Sequence, residues 1–186
     1  MKLHIKYDIN YCCKIILQEQ LDKLKLPYTI TGLGEVEIKG KIPTSEYNVL
    51  EKSLKKYGIE IMVNPKNIFT QKIKDAIVEM VYLEESLPTT KISAYLSNKL
   101  DKSYCQIANV FSEITFTSIQ NFTILHRIER AKQEIIEGKY SLTEISWRLS
   151  FSSVAHLSNE FKKITGLTPT AFQRIMKKRK ETVIAS

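Results

Sequence analysis

The sequence predicts an α+β protein in two parts: a βαββαβ domain over residues 1–64 and an all-helical domain over residues 68–180. Three observations predict it. Before residue 64, apolar residues alternate with polar ones in short runs, whereas after it they recur at helical spacing. Between the two regimes lies NPKN, residues 64–67, where a proline and polar neighbours punctuate the chain. A shift of fifty residues then lays Ile92 on Leu142, Ile107 on Leu157, Phe111 on Phe161, Ile114 on Ile164, Thr115 on Thr165 and Phe122 on Phe172. Two copies in one register mark a duplicated motif, not a solenoid.

The first part is taken in order. In residues 2–7, Leu3 and Ile5 alternate with Lys2, His4 and Lys6, the pattern of a half-buried strand. Residues 12–25 form a helix with Ile16, Leu17, Leu21 and Leu24 on one face, ended by Pro27. Residues 28–31 and 35–39 are two strands around Gly32, Leu33 and Gly34, a hairpin. A second helix over 43–57 turns Tyr47, Leu50 and Leu54 inward, Gly58 stops it, and 59–63 is the last strand. This order is that of a ferredoxin-like fold.

The second part is helical throughout. Ile68, Ile73, Ile77, Met80 and Val81 share one face until Pro88 interrupts. Residues 90–100 and 103–114 make one helix-turn-helix. Residues 118–137 form a single rod, begun by the capping pair Thr117 and Gln120 and closed by Gly138. Its buried stripe is Ile119, Phe122, Leu125, Ile128, Ala131 and Ile135. Ser141 and Glu144 have capping-box spacing and open the second helix-turn-helix, with Leu142, Ile145 and Leu149 inward. Val154, Leu157, Phe161 and Ile164 line its second helix, which Gly166 closes. Thr168 and Pro169 start a third helix as N-cap and first helical residue.

Composition bounds the function. The 186 residues are 43% hydrophobic, as in an ordinary soluble protein, and no run suits a membrane span. The opening MKLHIKYD is neither a signal nor a transit peptide. Three cysteines, two of them the vicinal pair Cys12 and Cys13, suit a reducing cytoplasm. The formal net charge is +8. Arg127, Arg130, Lys132, Arg148, Lys162, Lys163 and the basic residues of 174–180 concentrate it in the last third, which suits a polyanion.

The run ISWRLSFSSVAHLSNEFKKITGLTP, residues 145–169, resembles the second helix-turn-helix of AraC/XylS-type transcription regulators. Those regulators carry alanine and glycine where this chain has Ser146 and Ser150, and glycine where it has Asp101 and Phe116. The resemblance implies a regulator that reads double-stranded DNA with two helices in adjacent major grooves. RNA polymerase and a second copy of the chain are candidate partners. Base-reading positions fall at Val154, Ala155, Ser158 and Asn159, with Ser153 and His156 beside them. Lys162 and Lys163 are the phosphate anchors. The matching upstream positions are Tyr104, Cys105, Gln106, Ala108 and Asn109, while Ser112 and Glu113 stand where the downstream helix has its lysine pair.

The order and length of residues 1–64 resemble the heavy-metal-associated domain of copper chaperones, whose first loop carries Cys-x-x-Cys. The matching residues are Asn10, Tyr11, Cys12 and Cys13, so one of the two thiolates is replaced by asparagine. A carrier fold that has lost its metal site is the expectation. The alternative is a metal-sensing protein holding a soft ion through Cys12 and Cys13, with His4 or Asp8. No Gly-rich phosphate loop, nucleophile elbow or carboxylate pair points to an enzyme, and none of the motifs calls for a cofactor.

Overall fold

A computed structural model describes residues 3, 5, 9–32, 34–82 and 91–184, the side chains of residues 10 and 180–184 excepted. The chain divides into two units, Met1–Val63 and Asn64–Ser186.

The first unit runs α1 (Ile9–Lys23), β1 (Tyr28–Gly32), β2 (Glu35–Ile38) and α2 (Thr44–Lys55). The strands pair antiparallel, Tyr28 opposite Ile38 and Ile30 opposite Val36, with an irregularity before Gly32. Leu21, Leu50 and Leu54 are buried together, and Ile16, Leu17, Val36, Ile59 and Ile61 pack against them. Two of the four expected strands are therefore present among the described residues. Residues 59–63 are not a strand, although Ile59 and Ile61 do pack inward. Of residues 2–7 only Leu3 and Ile5 are described, and both are exposed and outside any strand. Alternation decides which side chains turn inward, but a strand also needs a neighbour to complete its backbone hydrogen bonds. Among the described residues β1 and β2 pair only with each other. Among those residues the ferredoxin-like expectation thus reduces to a helix, a hairpin and a helix.

The second unit comprises α3 (Pro65–Tyr82), α4 (Ile92–Leu100), α5 (Tyr104–Thr115), α6 (Ile119–Glu137), α7 (Leu142–Arg148), α8 (Val154–Thr165) and α9 (Pro169–Ile184). The Asn64 side chain accepts from the Lys66 N–H at 2.9 Å, capping α3 where Pro65 takes the first helical position. Pro88, expected to interrupt this helix, lies outside the described residues, as does Thr90. One continuous core joins Ile73, Ile77 and Met80 of α3 to Leu96, Ile107, Phe111, Ile128, Ile145, Leu157 and Phe161. The rod α6 touches α3, α5, α7, α8 and α9, so both helix pairs are built onto it.

Two details of α6 differ from expectation. Its N-cap is Ser118, whose hydroxyl accepts from the Asn121 N–H at 3.1 Å, one residue later than the expected Thr117 pair. The Thr117 carbonyl is instead turned to the Thr115 hydroxyl. Leu125, placed in the buried stripe, is exposed.

Candidate nucleic-acid interface

Each helix pair presents its second helix through a capped N-terminus. Ser103 and Gln106 form a capping box at α5: the hydroxyl accepts from the Gln106 N–H at 3.4 Å, and the amide oxygen accepts from the Ser103 N–H at 3.3 Å. Ser153 caps α8 by accepting from the His156 N–H at 3.1 Å. Ahead of α8, Ser141 and Glu144 close the box at α7, where hydrogen bonds from Ser141 hold the Glu144 carboxyl below its ordinary range.

The two presented helices match position by position. From 103 to 114 and from 153 to 164 the order of exposed, half-buried and buried residues is the same. Ile107 and Phe111 are buried as Leu157 and Phe161 are. Facing outward are Cys105, Gln106, Asn109, Ser112 and Glu113 on α5, and Ala155, His156, Asn159, Lys162 and Lys163 on α8. Tyr104 and Ala108, like Val154 and Ser158, are half-buried. Every candidate position thus lies on one of these two helices or at its cap.

Their chemistry differs. On α5, the Asn109 amide donates to the Cys105 sulfur at 3.7 Å, and Gln106 already serves its cap. Glu113 is paired with Lys66 of α3 at 2.6 Å. On α8, Lys162 and Lys163 are exposed, the latter 4.0 Å from Glu160. Helix α9 adds exposed Arg174, Lys177 and Arg179.

Three arginines counted with the polyanion surface are instead structural. Arg130 is 8% exposed, bonds Glu134 at 3.1 Å and donates to the Val81 carbonyl in the last turn of α3. That carbonyl is one of those a helix end leaves unpaired. Arg148 lies 3.6 Å from Glu134 and stacks over Tyr140 at 4.1 Å. Arg127 donates to the Ser150 carbonyl at 3.4 Å, and burial lowers its pKa. The pair Arg130 and Glu134 stands at i, i+4 spacing on α6. Its partners on α3 and α7 lie too far along the chain for any local pattern to show them.

The helix-pair turns require left-handed backbone at residues other than glycine. Asp101 has φ 50°, Ser150 has φ 51°, and Phe116 after α5 has φ 55°, where α8 ends on Gly166 at φ 78°.

In the first unit, Cys12 and Cys13 are both half-buried inside α1, not in a loop. Neighbouring residues on a helix leave the axis about 100° apart, so the two sulfurs do not converge as a Cys-x-x-Cys pair does. No group of three or more His, Cys, Asp or Glu side chains suited to a metal ion exists among the described residues. His4, Asp8 and the Asn10 side chain lie outside them.

Two helix pairs on a shared rod, each presenting a capped helix, define a helix-turn-helix protein. Residues 96–175 match a family model described as a helix-turn-helix domain. The Transposon Tn10 TetD protein of Escherichia coli is 22% identical over 117 residues, 63% of this chain and 83% of that protein. The C-terminal domain of AraT, a response regulator from Geobacillus stearothermophilus, superposes with a TM-score of 0.51 at 16% identity, over 62% of this chain and 88% of that one. A transcriptional regulator from Chromobacterium violaceum, described as AraC-type DNA-binding domain-containing, gives 0.50 at 19% identity, over 59% and 96%. The second unit shares the helix-turn-helix fold of these two domains.

Proposed function

We propose that this chain is a sequence-specific DNA-binding transcription regulator of the AraC type, with α5 and α8 as its two recognition helices in adjacent major grooves. The observation that carries the reading is the matched exposure pattern of α5 and α8, two capped helices held by one rod. That rod has 19 residues, about 28 Å at 1.5 Å per residue. Successive major-groove faces on one side of a duplex lie about 34 Å apart. Asn159 then reads adenine, Val154 and Ala155 meet thymine methyl groups, and Lys162 and Lys163 anchor phosphates. Ser153, His156 and Ser158 complete the downstream surface, and Tyr104, Cys105, Gln106, Ala108 and Asn109 the upstream one. The first unit is a module for protein contacts, with a second copy or with RNA polymerase.

Selection of bound duplexes from a random library by the full chain tests this reading. A shared motif should emerge, and affinity for it should fall steeply, by roughly a thousandfold or more, between about 50 and 200 mM salt. Recovery of no motif, or affinity flat with salt, would overturn it.

A further inference from the structure

The residue before the α8 cap makes a contact that the proposed function does not use. The Ser152 hydroxyl lies 3.0 Å from Nδ1 of His156. The same imidazole meets the buried Phe151 ring edge to face, 5.4 Å between centroids. His156 is therefore held on two sides although it is exposed on the outer face of α8. Its Nε2 has no hydrogen-bond partner among the described residues.

A hydroxyl can donate or accept, so Ser152 serves Nδ1 in more than one state. If it donates to a bare Nδ1, the ring proton of neutral imidazole resides on Nε2. If the ring is cationic, Ser152 accepts from Nδ1–H and Nε2 again bears a proton. Only the third arrangement, neutral with the proton on Nδ1, would turn a lone pair outward. Beside a polyanion that arrangement is the least favourable, because negative potential favours a proton on the facing atom.

We infer that Ser152 is a positioning residue that fixes His156 as an outward hydrogen-bond donor selecting guanine at one base pair of the bound duplex. The inference rests on the proposed function. Guanine alone presents two acceptors, N7 and O6, and no donor at the major-groove edge. Cytosine presents an amino donor there and is the base rejected most strongly. The ring contact with Phe151 and the hydrogen bond with Ser152 orient the ring, and the negative potential of the duplex keeps a proton on the outward nitrogen.

The test uses the full chain and a duplex selected by it, with each base substituted in turn. His156→Ala should lose the guanine preference at one base pair and leave the others intact. Ser152→Ala should lower discrimination at that same pair by roughly threefold to tenfold, the worth of one neutral hydrogen bond. Ser152→Thr, which keeps the hydroxyl, should restore it. Long-range proton–nitrogen NMR of the duplex-bound protein should show a proton on Nε2 of the His156 ring. A ring protonated only on Nδ1 would overturn the inference, as would full discrimination in Ser152→Ala or a loss at a different base pair from His156→Ala. In those cases selective binding by the unsubstituted chain would leave the proposed function standing. Absence of any selective binding would overturn both.

Discussion

Helices α5 and α8 occupy the same structural position fifty residues apart, yet they share a frame and not a surface. Inside, Ile107 and Phe111 answer Leu157 and Phe161, and each phenylalanine meets a partner on the following helix. Phe111 packs against Phe122 at 5.4 Å and Phe161 against Phe172 at 5.5 Å. Outside, one helix ends in Ser112 and Glu113 and the other in Lys162 and Lys163. The core of a duplicated motif is constrained by close packing, which punishes a lost methylene. Its surface is constrained only by what it meets. A shared frame with divergent faces is what the proposed pair of readers would require.

The largest expected effects test the frame. Phe111→Ala and Phe161→Ala should each cost roughly 3–5 kcal/mol in urea unfolding, because both side chains are fully buried and leave cavities. The two costs should agree closely. If one substitution proved nearly neutral, that copy would be loosely packed and the equivalence would fail. Next come the faces. On a selected duplex, Asn159→Ala should cost about 1–3 kcal/mol and relax one base pair. Asn109→Ala should cost less, since its amide already donates to Cys105 and its helix lacks the lysine pair. Binding titrations giving the opposite order would reassign the dominant reader to α5.

The sequence reveals much of the frame and less of the face. The caps read at Ser141 and Thr168 are local, each a hydroxyl within three residues of the N–H it accepts from, and those at Ser103 and Ser153, equally local, were missed. Apolar spacing is equally local, and so Leu157 and Phe161 were readable as inward. What else escaped depends on distant partners. Arg130 is an exposed cation by pattern and a buried one by structure, because the Val81 carbonyl and Glu134 hold it. The pair between Lys66 and Glu113 spans 47 residues and has no sequence signature. In the first unit the same limit removed the strand expected over 59–63, since alternation is local while a ladder partner is not. The contact between Ser152 and His156 was within reach at four residues' spacing, but it straddles the cap and belongs to no helical pattern.

Backbone strain separates the copies on a smaller scale. Phe116 and Gly166 end their helices at equivalent positions, both left-handed, and only glycine adopts that region without a steric penalty. Phe116 is 93% exposed, so little packing offsets the cost. Phe116→Gly should stabilise the fold by about 1 kcal/mol, and Gly166→Ala should destabilise it by a similar amount. Ser150→Gly should act as Phe116→Gly does. Unfolding midpoints that drop in Phe116→Gly would mean that the exposed ring makes a stabilising contact, and the end of α5 would then differ from that of α8 in more than strain.

The smallest effect on stability concerns Lys66 and Glu113, and it tests the comparison where the two faces diverge most. Both charges stand at the unfavourable end of their own helix, Lys66 in the first turn of α3 and Glu113 in the last turn of α5. Each offsets the other across 2.6 Å, but both side chains are more than half exposed, 54% and 56%, and solvent screens them. A double-mutant cycle in urea should therefore give a coupling of only about 0.2–1 kcal/mol. Binding should respond more than stability. Glu113 stands where α8 has Lys163, so Glu113→Lys gives α5 the cation that its counterpart carries. On a selected duplex it should raise affinity and steepen the salt slope by roughly one phosphate contact, while base preference stays fixed. Lys66→Ala should do the reverse, exposing an uncompensated carboxylate to the phosphates, and adding Glu113→Ala should recover most of the loss. A salt slope unchanged in all three variants would place the end of α5 away from the phosphate backbone and leave α8 to carry the electrostatics alone.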